Sequence, residues 1–139
     1  MIISKYNPID KVIEDTISSL IGPQTKWLEQ HSVANKKPTK LNVIEASQAL
    51  TASFDPSHVA VISVEIEIRP SGILLVLNNK IQKVAWAIPF YRLAIFKTDY
   101  WGVHGDGQKV LLIDPKWRNK EFFNLLLQHK NALDQIDLN

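Results

Sequence analysis

Ile62-Ser63-Val64-Glu65-Ile66-Glu67-Ile68-Arg69-Pro70-Ser71-Gly72-Ile73-Leu74-Leu75-Val76-Leu77-Asn78-Asn79 is the stretch on which the fold class turns. In its first half Ile62, Val64, Ile66 and Ile68 alternate with Ser63, Glu65 and Glu67. A period of two puts the apolar set on one face and the carboxylates on the other, so this is a strand with one wet side. Glu65 and Glu67 are read as solvent-facing members of that alternation, not as an acid pair. Arg69-Pro70-Ser71-Gly72 reads as a turn, with proline suited to its second position and glycine able to take a positive φ. Residues 73–77 are apolar at both parities, as a central strand covered on both faces requires. Asn78-Asn79 marks the next turn, because asparagine tolerates the left-handed conformation that tight hairpins demand.

The same rhythm continues toward the C-terminus. In residues 81–88, Val84, Trp86 and Ile88 share one face, Lys83, Ala85 and Ala87 take the other, and Pro89 ends the ladder because it has no N–H to donate. Residues 91–98 set Leu93 and Ile95 opposite Ala94 and Phe96. Trp101 and Val103 resume the alternation, and Gly105-Asp106-Gly107 turns the chain into a last strand over 109–113. The links are short, and links of about two to four residues join antiparallel neighbours, since parallel pairing needs a crossover of roughly a dozen. Residues 59–113 thus read as a meander of five or six strands. Asp114 then caps a helix with Pro115 at its first position, running to about residue 135 and carrying Trp117, Phe122, Phe123, Leu126, Leu127 and Leu133 on its apolar stripe.

Upstream, residues 8–21 read as a helix with Asn7 as cap, Pro8 at its first position, Asp10 in its first turn and Gly22-Pro23 as its stop. Its apolar stripe is Ile9, Val12, Ile13, Ile17, Leu20 and Ile21. Such a stripe needs cover, from the sheet or from the same helix of a second chain, and the second option would make a homodimer. Residues 24–32 read as a resumption of the helix, 33–40 as a connection broken by Pro38, and 39–51 as a third helix capped by Thr39 and carrying Leu41, Ile44, Ala49 and Leu50. The expectation is one α+β domain over residues 1–139: a helical part (1–52), an antiparallel bent sheet or partly open barrel of five to seven strands (59–113) and a closing helix (115–135).

Composition narrows the class further. A chain of 139 residues with 45% hydrophobic and 22% charged residues fits one folded domain and excludes wholesale disorder. Zero cysteines exclude disulfides and thiolate chemistry. No apolar run approaches the roughly 20 residues that span a bilayer, and the start, Met1 to Lys5, lacks the pattern of a secretory leader, so a cytoplasmic location without a transmembrane segment is expected. A net charge of +2 is too small to point to nucleic acid, although residues 58–120 hold nine Lys or Arg against five acids.

Chemistry has few footholds. His104 and Asp106 stand two residues apart beside a glycine-flanked turn and could share a metal with Asp99, but a site needs a further ligand and a second shell. His31, His58 and His129 are scattered. There is no nucleophile elbow, P-loop or dinucleotide fingerprint. No catalytic residue, metal or cofactor is assigned, and a small enzyme or metal-binding protein using His104 and Asp106 stands as the alternative to a non-catalytic module. Binding is better supported. Lys80, Lys83, Arg92 and Lys97 fall on neighbouring strands near Tyr91, Trp86 and Trp101, and Arg69 sits at a turn, so Arg69, Lys80, Lys83 and Arg92 are the candidate binding residues for a protein or an anionic group.

Trp86 to Phe96, reading Trp-Ala-Ile-Pro-Phe-Tyr-Arg-Leu-Ala-Ile-Phe, is followed by a glycine-containing hairpin and a helix with Phe122-Phe123 and Leu126-Leu127. Over residues 59–135 this order resembles bacterial pleckstrin-homology-like domains, in which seven strands form a curved sheet and a C-terminal helix plugs one end. The resemblance implies a binding or scaffold module. Lipid-binding members carry several basic residues around their first hairpin, where this chain has only Arg69, so phosphoinositide binding is not implied.

Overall fold

The computed structural model describes residues 1–24, 41–54, 61–114 and 117–137, with side chains up to residue 132. The chain is α+β, and its elements in order are β1 (Ile2–Ile3), α1 (Lys11–Ile21), β2 (Leu41–Ala46), the one-turn α2 (Gln48–Thr51), β3 (Ser63–Arg69), β4 (Gly72–Asn78), β5 (Lys83–Pro89), a 3-10 turn (Phe90–Arg92), β6 (Ala94–Lys97), β7 (Trp101–Gly105), β8 (Gln108–Ile113) and α3 (Lys120–Asp137). The strands form one eight-stranded sheet in the order β1-β5-β4-β3-β2-β8-β7-β6, with every pairing antiparallel.

Between residues 59 and 113, where five or six strands were expected, there are six, and the sheet as a whole has eight strands, more than the five to seven expected. Two more come from the N-terminal third, which is not wholly helical. Residues 41–46 form a strand where a helix was expected: Leu41 pairs with Val64 of β3, and Asn42 to Ala46 pair with Ile113 to Val110 of β8 across a register shift between Val43 and Glu45. Leu41 and Ile44 are three apart, which suits a helix, but the β-branched pair Val43-Ile44 suits a pleat, and tertiary pairing decides between them. The helix expected over 24–32 and the connection expected over 33–40 lie, from residue 25 onward, outside the described residues.

Two hydrophobic layers sit on opposite faces of the sheet. On the inner face Val64, Ile66 and Ile68 of β3, Ile73, Leu75 and Leu77 of β4, and Val84, Trp86 and Ile88 of β5 pack with Trp101, Val103, Val110 and Leu112, and α3 adds Phe122, Phe123 and Leu126. Each large apolar side chain buried this fully contributes roughly 1.5–3 kcal/mol. On the outer face α1 lays Ile17 and Ile21 onto Leu74, Val76, Ala85 and Ala87. The alanines keep β5 low enough for the helix to approach.

Local chemistry sets the element ends, with three corrections. Helix α1 is capped by Asp10, whose Oδ1 accepts from the Val12 and Ile13 amides, while Asn7 makes only a local bond to the Ile9 amide. Its first turn therefore lies outside the sheet contact, and Ile9 and Val12 are exposed. Gly72 does not have a positive φ. It is glycine because a Cβ there would lie 2.4 Å from the Ile88 carbonyl oxygen and 2.5 Å from Ile21 Cγ2, so the gap receives the helix. Helix α3 begins at Lys120, and Asp114 is a buried latch: its Oδ2 accepts from Trp101 Nε1 (3.3 Å) and the Asn119 amide (3.0 Å), and its Oδ1 from Asn119 Nδ2 (2.9 Å). Pro115 lies outside the described residues. The remaining hairpins follow their turn chemistry. Asp106 and Gly107 both have positive φ in a two-residue loop between Gly105 and Gln108, as a type I′ turn requires. In the β4–β5 loop the left-handed residue is Lys80, and Asn78 and Asn79 serve as side-chain acceptors for the Lys80, Ile81 and Gln82 amides.

Candidate functional site

The four candidate binding residues do not converge. Arg69 is buried at the end of β3, with no side-chain exposure. Its guanidinium donates to Glu14 through Nη1 (2.9 Å) and Nη2 (3.1 Å), to Glu67 Oε1 through Nε (2.8 Å) and to the Gly22 carbonyl through Nη1 (3.0 Å). Burial works against its charge, but the Glu14 hydrogen bonds and the charges of Glu67 and Glu14 outweigh that and raise its pKa. Arg69 is therefore the bolt that fastens α1 to the sheet and has no donor face turned to solvent. Glu67, expected to be wet, is half-buried beside it.

Lys80 and Lys83 are exposed at the opposite end of the same strands. Lys83 pairs with Asn78, whereas Arg69 pairs with Gly72, which pairs with Pro89. Six residue steps along β4, from Gly72 to Asn78, separate those two rows, about 20 Å at ~3.3 Å per residue. The aromatics expected to edge a basic patch are core: Trp86 is 0% exposed, and Trp101 is stacked on Phe123 with ring centroids 4.0 Å apart. Tyr91 is exposed, and the Arg92 guanidinium lies over its ring.

Arg92 leads to a different surface. Its Nη1 donates to Asp106 Oδ1 at 2.7 Å, an exposed pair that holds the Arg92 pKa above its usual value through that hydrogen bond and the Asp106 charge. Arg92, Ala94, His104, Asp106, Gln108 and Lys109 line a shallow depression of about 340 Å³. His104 is cross-strand neighbour to Ala94 and Lys109, so a row running Ala94, His104, Lys109 crosses β6, β7 and β8 on the outer face of the sheet. His104 and Asp106 do lie together here, but Asp106 is engaged by Arg92, and the His104 ring meets Phe96 edge-on at 5.1 Å. Among the described residues no three His, Asp or Glu side chains are grouped to hold a metal ion.

Beyond that row the outer face turns apolar. Phe96 (55% exposed) lies across Gly102 from half-buried Leu111, Ile113 (39%) follows Leu111 on the same face, and Gly102 leaves a trough between Phe96 and Leu111, while Ile44 (46%) is exposed at the bulge of β2. None of the described helices covers this area: α1 lies on β4 and β5, and α3 packs its Phe122, Phe123 and Leu126 into the inner layer. The sequence held a signal for it. Val110-Leu111-Leu112-Ile113 is apolar at both parities, the signature that marks 73–77 as a strand covered on both faces. Compared with known proteins, the chain matches no family model, no curated protein and no solved structure. None of the described helices is long and apolar enough to cross a membrane.

Proposed function

We propose that the protein is a non-catalytic binding or scaffold module whose recognition surface is the outer face of β2, β8, β7 and β6. One observation carries this reading: β8 has the two-sided apolar pattern of a covered strand, and only its inner side is covered among the described residues. Exposed apolar groups gathered on one face mark interaction sites more often than isolated ones do. A protein partner suits the apolar trough, and one end of it is rimmed by polar groups, with Arg92 paired to Asp106, Lys109 paired to Glu45, and His104 between them. Of the four candidate binding residues, Arg92 alone belongs to this surface.

The framework is read as pleckstrin-homology-like. From β2 onward the chain runs through a four-strand meander (β2–β5), a three-strand meander (β6–β8) that returns beside β2, and a terminal helix, which supports that reading. A bent, partly open barrel is supported by the approach of β7 to β5, where a Cβ on Gly105 would lie 2.7 Å from Ile88 Cγ2.

Site-specific photo-crosslinking in the producing cells tests the reading. A benzophenone amino acid at position 96 or 113 is expected to trap a discrete protein that also binds the purified chain, whereas the same group at position 15, on the exposed side of α1, traps none. Equal labelling from all three positions, or none from 96 and 113, refutes it.

A further inference from the structure

We propose that β6 is a docking edge to which an extended segment of a partner protein adds as a further strand, with an acidic side chain beside Lys97. The inference rests on the reading of this half of the molecule as a recognition surface and specifies how that surface is used. It begins with the two ends of the sheet. At one end β1 is two residues long and is fastened by the Met1 amine to the Ala87 carbonyl and by the Tyr6 amide to the Lys83 carbonyl. At the other end β6 has a single ladder, four residue pairs with β7 from Ala94–His104 to Lys97–Trp101, and its second side faces no strand among the described residues.

A free edge presents a row of backbone donors and acceptors ready to pair with another extended backbone, and folded chains ordinarily blunt such edges with a very short strand, lysine or other charges, proline or a bulge. Strand β6, Ala94-Ile95-Phe96-Lys97, is short but has neither proline nor a register shift against β7. Its one charge, Lys97, is turned onto aromatic rings, with Nζ 4.7 Å from the Trp117 centroid and 5.6 Å from that of Trp101. That ammonium meets no carboxylate among the described residues.

Side chains on an added strand alternate between the two faces. One set would lie beside Ala94 and Phe96 on the apolar outer face, and the other beside Ile95 and Lys97. In antiparallel pairing the segment that fits therefore carries Asp or Glu opposite Lys97, followed by three apolar residues opposite Phe96, Ile95 and Ala94. Partner strands added to sheet edges in this way draw affinity from the backbone ladder and specificity from alternate side chains. A second copy of this chain fits less well. Antiparallel self-pairing of β6 that keeps each face on its own side sets Lys97 opposite Ile95 or Leu93 and gives its ammonium no acid.

The probe is the capped peptide acetyl-Thr-Glu-Val-Val-Val-Thr-amide at millimolar concentration, titrated into the full chain labelled with nitrogen-15. Amide shifts and slowed hydrogen exchange are expected at residues 94–97. The same peptide N-methylated at every second residue is tested in both phases, because alternate amides face the edge; one phase should weaken binding by about tenfold or more, while the other binds like the parent. Lys97→Glu, checked for an unchanged melting temperature, should reverse the preference toward a peptide with lysine in place of glutamate. The proposal is overturned if no β6 amide responds, if both N-methylated phases bind like the parent, or if β6 amides are already protected in a dimer detected by light scattering. Shifts confined to residues 111 and 113 also overturn it and leave the outer face as the recognition surface.

Discussion

Strands β4 and β8 carry the same apolar signature and meet different ends. On β4 the outward Leu74 and Val76 lie under α1, sealed by Ile17 and Ile21 and bolted by Arg69 to Glu14. On β8 the outward Leu111 and Ile113 stay partly open, next to exposed Phe96. Covering one half of the outer face took a dedicated helix, two small residues on β5, a glycine at the point of closest approach and a buried arginine. The other half has the apolar side chains without the cover. The difference teaches that an all-apolar strand announces a need for two covers and leaves open whether the chain itself supplies the second.

Substitutions should divide along that line. Gly72→Ala should have the largest effect, because its new methyl would strike backbone as well as Ile21; a loss of about 3 kcal/mol or more, or failure to fold, is expected in urea denaturation. If Gly72→Ala melts like the wild type, α1 does not lie where described. Arg69→Met should cost roughly 3 kcal/mol by leaving Glu14 and Glu67 without their cation in a half-buried site, and hydrogen exchange should show α1 opening first. Asp114→Asn turns an amide donor toward Trp101 Nε1 or Asn119 and should cost about 1–3 kcal/mol in the same assay. At the small end, Ile113→Thr should stay within about 0.5 kcal/mol of wild type, since its side chain is already wet; a larger loss would mean the bare half is sealed after all.

Alkaline pH sharpens the contrast from the covered side. Tyr6 packs beside the α1 layer, and burial, followed by the charges of Glu67 and Glu14, lifts its hydroxyl above the usual value of 10.0. The folded state therefore holds that proton more tightly than the unfolded chain does. The contribution is fully present below pH 10 and is lost as pH rises through the folded pKa, so stability falls over that window. Tyr6→Phe should flatten the fall in melting temperature above pH 10, and an unchanged slope would show that Tyr6 is not coupled to folding.

What was legible in the sequence was what short-range geometry dictates. Alternation located β3, the two-sided run located β4, and Gly105-Asp106-Gly107 located a hairpin, because each depends on residues a few positions apart. What escaped depends on distant partners. Leu41 to Ala46 became a strand because β8 lay alongside, and nothing within the segment announces that neighbour. Arg69 looked like a solvent-facing turn cation because Glu14, 55 residues earlier, is invisible from its surroundings. The candidate residues are scattered for the same reason: Lys80, Lys83 and Arg92 are close in sequence, but β5 carries Arg92 to the far end of the sheet, where it meets Asp106. Trp86 was readable as core from its parity with Val84 and Ile88, and that parity outweighed its nearness to the cations.

The pairing of β2 with β8 has a kinetic side as well. Every other neighbouring pair from β3 to β5 and from β6 to β8 closes through a loop of a few residues and can form as a local hairpin. The contact that joins the two meanders reaches across 62 residues, as in the bond from the Lys109 amide to Ser47 Oγ. Ordering a loop of that length costs entropy before the contact rewards it, and folding slows as such distant contacts come to dominate. The rate at which this chain folds should thus be governed by the meeting of β2 and β8, so that damage to that seam slows folding while damage to the β3–β4 hairpin mainly hastens unfolding.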